Sequence, residues 1–247
     1  KILDREPNSA SRQGFSAKDV IYLITPDRYA NGNPNNDSNP KLKEKSNRKN
    51  KDGRHGGDLQ GIMENLDYIE AMGFTQLWLN PLLENDQSRL SYHGYSTTDY
   101  YNIDARYGSN DLYKELSRRA KEKNIGLIKD IILNHIGSEH WWMQDLPSED
   151  WINNNGKFER SSHVHEVVND PYVTKSQKDA FTDGWFVRSM PDLNQRNSFL
   201  ATYLIQCSIW WIEFADLSGL RVDTYSYADK EFLSLWSGRI SAEYPDF

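Results

Sequence analysis

Cysteine is almost missing from this chain: Cys207 is the single one among 247 residues. No disulfide can close within it, so the small disulfide-stapled folds are excluded. Long apolar runs are missing as well. No stretch approaches the roughly 18 residues of a membrane span, and the first residues do not read as a signal peptide. There is no surplus of positive charge: 29 Lys and Arg stand against 36 Asp and Glu, for a net charge of −7. Nucleic acid is therefore not expected as a partner, because no broad basic surface is available to displace counterions. The one basic block, KLKEKSNRKNKDGRH (41–55), reads as a solvated loop.

What is present is an alternation of short apolar runs and amphipathic stretches. VIYLIT (20–25) reads as a buried strand. In DLQGIMENLDYIEAMG (58–73), Leu59, Ile62, Met63, Leu66, Ile69 and Met72 share one helical face, and Gly73 is a natural stop. TQLWLNP (75–81) is a second strand, and residues 110–123 form a helix with Leu112, Leu116 and Ala120 as its stripe. GLIKDIILNH (126–135) is a third strand, too apolar on both faces for a surface sheet, as parallel strands are. Residues 136–196 then break the alternation with a polar, Trp- and Asn-rich segment of no clear period, the kind of insertion that is usually functional. A helix over 197–214 follows, with Phe199, Tyr203, Cys207, Trp210, Trp211 and Phe214 as its stripe. The strand GLRVD (219–223) and a helix over 230–244 complete the series.

Repeated βα units with short connections imply a parallel sheet, either open and doubly wound or closed into a barrel. Both architectures bind ligands at the carboxyl ends of their strands. No glycine-rich phosphate loop follows the first strand, which favours the barrel. Asp130, Asn134 and His135 stand at the end of the third strand, and Arg221 and Asp223 at the end of the fourth. Strand side chains alternate, so Arg221 and Asp223 share a face. A guanidinium favours the ionised form of a neighbouring carboxylate, and an oriented anion is what a covalent nucleophile requires. These two residues alone also suit a plain ion pair finishing a strand.

Three segments in this order carry a resemblance: DIILNH (130–135), MPDLN (190–194) and GLRVD (219–223). Together they resemble the α-amylase family of glycoside hydrolases. The opening VIYLITPDRYANGNPNND and the later GGDL resemble its neopullulanase and cyclomaltodextrinase branch. The resemblance runs from about residue 19 to 247. It implies an α/β fold, a (β/α)8 TIM barrel with a domain B inserted after strand 3, of which this chain covers about the first four βα units. Residues 1–18 are then a linker from an upstream module, 19–135 the first three units, 136–196 domain B, and 197–247 the resumed barrel. The implied activity is retaining hydrolysis of α-glucosidic bonds in starch-type glucans: maltooligosaccharides, cyclodextrins or pullulan. Asp223 takes the nucleophile position and Arg221 the arginine beside it. His135 matches a histidine that bonds the sugar, Tyr95 in YHGYSTTDYY (92–101) a tyrosine that stacks on it, and His93 lies next to Tyr95. Tyr227 stands where many neopullulanases carry an acceptor-side glutamate.

The loop NGNPNND (31–37) offers Asn31, Asn33, Asn36 and Asp37 as oxygen donors, and Asp58 with the carbonyl of Gly56 completes a set that suits calcium. Such loops also make turns without metal, and Asp58 also suits a helix cap. The resemblance favours calcium, although Asn33 replaces the branch's usual aspartate. HVHE (163–166) has no cysteine nearby and does not read as a metal site. Trp141 and Trp142 either line the cleft or pack the insertion. The family's general acid and third carboxylate find no match here, so the chain alone is expected to be inactive and to need the other half of a barrel. The branch's habits suggest a periplasmic or secreted life. Two other functions share the motifs: a non-catalytic glucan-binding protein, and a glucan transferase or isomerase.

Overall fold

A computed structural model describes residues 5–247. In chain order its elements are β1 (Ile21–Ile24), α1 (Pro26–Tyr29), α2 (Leu59–Glu64), α3 (Leu66–Ala71), β2 (Gln76–Leu79), β3 (Leu83–Glu84) and β4 (Asp99–Ile103). There follow α4 (Asn110–Lys121), β5 (Gly126–Ile131), α5 (Lys175–Thr182), α6 (Ser198–Ala215), β6 (Gly219–Val222) and α7 (Lys230–Glu243). Strands β1, β2, β5 and β6 form one parallel sheet in that order, and β3 pairs antiparallel with β4 as a side hairpin. Parallel neighbours need helical crossovers, which α2 to α4 and α6 supply.

The main core lies between the sheet and these helices. Leu77, Leu79, Leu127 and Ile131 meet Leu59, Ile62, Leu116, Leu204, Trp211 and Ile212 there. Three expectations need correction. The helix over 58–73 is two helices, because the Asn65 side-chain amide donates to the Gly61 carbonyl at 2.7 Å while its own N–H turns to Ile62 at 3.0 Å. A local side-chain bond has displaced one rung of the helix ladder, and Met72 beyond it is exposed. On α6 the buried line is Leu200, Leu204, Cys207, Ser208 and Trp211, leaving Phe199 78% exposed. The helix is apolar nearly all round, so periodicity alone could not fix its inward face. Finally, β1 is not fully buried: Ile21 and Leu23 are 41% and 48% exposed, on an edge strand that pairs only with β2 among the described residues.

The first four residues of the expected linker lie outside the described residues. Residues 5–15 are tied to the helices rather than swinging free. Arg12 bonds Asp216 at 2.9 Å and Glu213 at 3.1 Å, and the Phe15 N–H meets the Ser218 carbonyl at 3.0 Å. The segment between β5 and α6 is built from single 3-10 turns and α5. Trp142 is buried in the main core and so packs rather than lines a cleft, while Trp141 is exposed. A second, smaller apolar cluster joins Val167 and Phe181 of this segment to Tyr227.

Candidate active site

Register creates the site. β5 and β6 pair so that Asp130 lies beside Arg221, on the same face. Arg221 Nη1 reaches both Asp130 oxygens, at 3.0 and 3.1 Å, and Asp223 Oδ1 at 2.8 Å. One guanidinium thus bridges two carboxylates. Asp130 also accepts from Trp78 Nε1 at 2.9 Å and from the Tyr95 hydroxyl at 3.2 Å. Its burial pushes its pKa up to about 6, against the downward pull of Trp78 and Arg221. Tyr95 in turn accepts from Asn80 Nδ2 at 2.8 Å, and Asn80 Oδ1 accepts from Thr25 at 2.7 Å. The carboxyl ends of all four parallel strands therefore meet in one hydrogen-bonded chain.

Asp223 continues the ladder one residue beyond β6, its N–H donating to the Ile131 carbonyl at 2.9 Å. Thr224 then enters the left-handed region at φ 46°, a costly conformation for a β-branched residue and one that concentrates at functional sites. The turn leaves the Asp223 carboxylate in a cavity of about 270 Å³ lined by His93, Tyr95, His135, Phe186, Met190, Asp223 and Thr224. His135 Nε2 lies 3.0 Å from the Tyr95 carbonyl and so must donate to it. His93 Nδ1 accepts from the Tyr95 N–H at 2.9 Å, which puts the proton of a neutral ring on Nε2. Burial lowers the pKa of both histidines, so both rings are neutral at neutral pH. A larger hollow of about 650 Å³ lies between residues 6–12, α4 and α6. It sits by Asp216, before β6 begins, at the end of the sheet away from these groups.

Five of the six expected catalytic and substrate residues thus gather here: Asp223, Arg221, Tyr95, His135 and His93. Tyr227 does not. Only 7% exposed, it turns toward the insertion, where its hydroxyl meets His163 Nδ1 at 3.2 Å and His165 Nε2 at 3.1 Å. Sequence reasoning passed over Trp78, Asn80, Phe186 and Met190. The polar Asn80 just after an apolar strand was the available signal, and Met190 opened the quoted MPDLN segment; Phe186 carried none.

In the expected calcium loop, Asp58 caps α2 by accepting from the Gly61 N–H at 2.7 Å, and it ties the loop through Gly32 at 3.1 Å and Asn33 at 2.9 Å. Asn33 caps its own turn through the Asn35 N–H. The side-chain oxygens of Asn31 and Asn36 are buried without a partner. Asn31 Nδ2 donates to Asp37 at 2.7 Å, and a β-carbon on Gly56 would fall 2.6 Å from the same carboxylate oxygen. Among the described residues no three His, Cys, Asp or Glu side chains converge on a metal position. The donors here are mostly amide oxygens, and two orphaned ones beside a carboxylate fit a hard cation such as calcium.

The fold and site define a class: a parallel β/α barrel portion whose strand ends present an arginine-bridged carboxylate to a cleft walled by aromatic and imidazole rings. The α-amylase catalytic-domain family model matches residues 23–235. The chain belongs to that family, in the branch of maltogenic amylases, cyclomaltodextrinases and neopullulanases. It is 34% identical to a β/α-amylase of Paenibacillus polymyxa, over 88% of this chain and 17% of that protein. It is 32% identical to the intracellular maltogenic amylase of Bacillus subtilis, over 92% of this chain and 36% of that protein. An Anoxybacillus α-amylase structure superposes with a TM-score of 0.78 at 31% identity, over 98% of this chain and 47% of that one. The chain thus spans less than half the length of these relatives, and its sheet is part of a (β/α)8 barrel. The expected periplasmic or secreted location is overturned, since Bacillus subtilis relatives are named intracellular.

Proposed function

We propose that the complete polypeptide hydrolyses α-glucosidic bonds of starch-type glucans with retention, and that Asp223 is its nucleophile. The observation that carries this reading is the placement of Asp223: Arg221 holds one oxygen at 2.8 Å, and the carboxylate opens onto the cavity shared with Tyr95, His93 and His135. Asp223 attacks the anomeric carbon as the leaving oxygen takes a proton from a second carboxyl. A glycosyl ester forms, and water, deprotonated by that same second group, then cleaves it. The second carboxyl must stand roughly 5–5.5 Å from the first. Asp223 is the only carboxylate lining the cavity among the described residues, so the reading assigns the acid to the part of the relatives' length that this chain does not span. Neutral His93 and His135 bond sugar hydroxyls, and the Tyr95 ring offers a stacking face.

The reading includes calcium held by Asn31, Asn36 and Asp37, with Asn33, Gly56 and Asp58 shaping the loop. Bound there, calcium would brace the loop after β1 and would supply no chemistry. Relatives named intracellular suggest that the substrates are imported oligosaccharides rather than whole starch. The test is incubation of the complete protein with a maltooligosaccharide, a cyclodextrin and pullulan, following the anomeric form of the first product by NMR. α-Anomers support the reading and β-anomers reject retention. Asp223→Asn is expected to abolish turnover while leaving the thermal midpoint in place; wild-type turnover in that variant rejects the role.

A further inference from the structure

Tyr227 is the single residue from outside the insertion in the small apolar cluster formed with Val167 and Phe181, against which Val173 and Phe186 pack. Its ring stacks on Phe181 at 4.2 Å and leans on Phe186 at 4.5 Å. Its hydroxyl is held from the other side by His163 and His165. Phe186 in turn lies 5.5 Å from the His135 ring and forms one wall of the Asp223 cavity. The 3-10 turn Tyr225–Tyr227 begins one residue after Thr224, so the same short turn places the carboxylate and grips the opposite wall.

We propose that Tyr227 is a positioning residue, in which a His163–Tyr227–His165 clamp fixes the insertion over the nucleophile loop and sets Phe186 as the wall against which a bound sugar seats. The role in substrate seating rests on the glucan reading of the cavity; the clamp itself does not. A phenol hydroxyl can accept from one imidazole N–H and donate to the other ring's bare nitrogen, so each histidine has a defined part. Phenylalanine at 227 keeps the ring packing and removes both bonds. Losing one or two such bonds is worth roughly a fivefold to thirtyfold change in the opening equilibrium.

The experiment compares wild type, Tyr227→Phe, the His163→Ala/His165→Ala double variant and their combination, all in the complete polypeptide. Hydrogen–deuterium exchange is read on peptides covering 158–189 and on the strands of the sheet. The clamp predicts faster exchange by that factor in the insertion alone. It also predicts no further increase in the combined variant, because both changes remove one interaction. On a maltooligosaccharide, KM should rise by a similar factor while kcat stays within about twofold, as expected when substrate seating is lost but chemistry is not. Exchange that matches wild type, or that rises equally in the sheet, overturns the clamp. Localised exchange with an unchanged KM overturns the wall-setting role. A wild-type protein that cleaves no glucan rejects the proposed function, and the exchange result still decides the clamp.

Discussion

Replacing Lys129 by methionine should make this protein more stable. Lys129 lies in the middle of β5, where its side chain is fully buried against α4 and α6. Its ammonium sits 3.9 Å from the centre of the Trp211 ring and 5.2 Å from that of Tyr113, with no hydrogen-bond partner. Burial drags its pKa down from 10.5 to about 7. Between those two values the unfolded chain binds a proton that the folded one does not, so stability rises with pH across that window. At neutral pH the buried amine costs about 4 kcal/mol. Methionine removes that penalty, and its thioether also packs well against aromatic rings. Calorimetry at pH 6, 8 and 10 reads the difference: Lys129→Met should melt higher, with the gain largest at pH 6 and fading as pH nears 10.5. A lower midpoint, or a gain that does not shrink with rising pH, refutes the reasoning.

The bridged carboxylates predict a second pH effect. Asp130 has its pKa raised from 3.8 to about 6, so its proton is bound more tightly in the folded state and stability falls as pH climbs between those values. Asp130→Asn should flatten that slope in calorimetry. It should also lower kcat by about tenfold at neutral pH, the worth of one charge-assisted hydrogen bond, because Arg221 then bears on Asp223 alone; unchanged kcat counts against shared control of the guanidinium. Chelation of calcium should lower the thermal midpoint, reversibly, by the equivalent of about 3 kcal/mol at a hundredfold excess of metal over Kd. Gly56→Ala, with φ at 87° and its new β-carbon 2.6 Å from Asp37, should abolish that dependence; a midpoint indifferent to chelator removes calcium from the account.

The parallel β/α order was readable because β2, β5 and β6 are short apolar runs separated by helix-length apolar or amphipathic segments. Asp130, Arg221 and Asp223 could be placed together for the same reason: on neighbouring parallel strands, alternation alone decides which side chains face one another. Tyr95 and His93 were legible only through resemblance, since loop positions have no period to read, whereas His135 was already marked by its place after an apolar strand. The kink at Asn65 was hidden because a helix-compatible apolar pattern continues across it, and the side-chain bond to Gly61 leaves no trace in hydrophobicity. Tyr227 was misplaced for a related reason. Its partners His163, His165 and Phe181 lie at least 46 positions earlier in the sequence, in a segment whose sequence shows no clear period, and nothing local tells whether a tyrosine after a strand faces a ligand or an insertion.

The central claim is a covalent bond from a glucosyl carbon to one oxygen of Asp223. Brief incubation of the complete protein with a 5-fluoro-α-glucosyl fluoride, followed by peptic digestion and mass spectrometry, tests it directly. The account predicts one hexosyl-modified peptide, with the modification on Asp223, and none in Asp223→Asn. A modified carboxylate elsewhere, or an active enzyme that never forms an adduct, contradicts it.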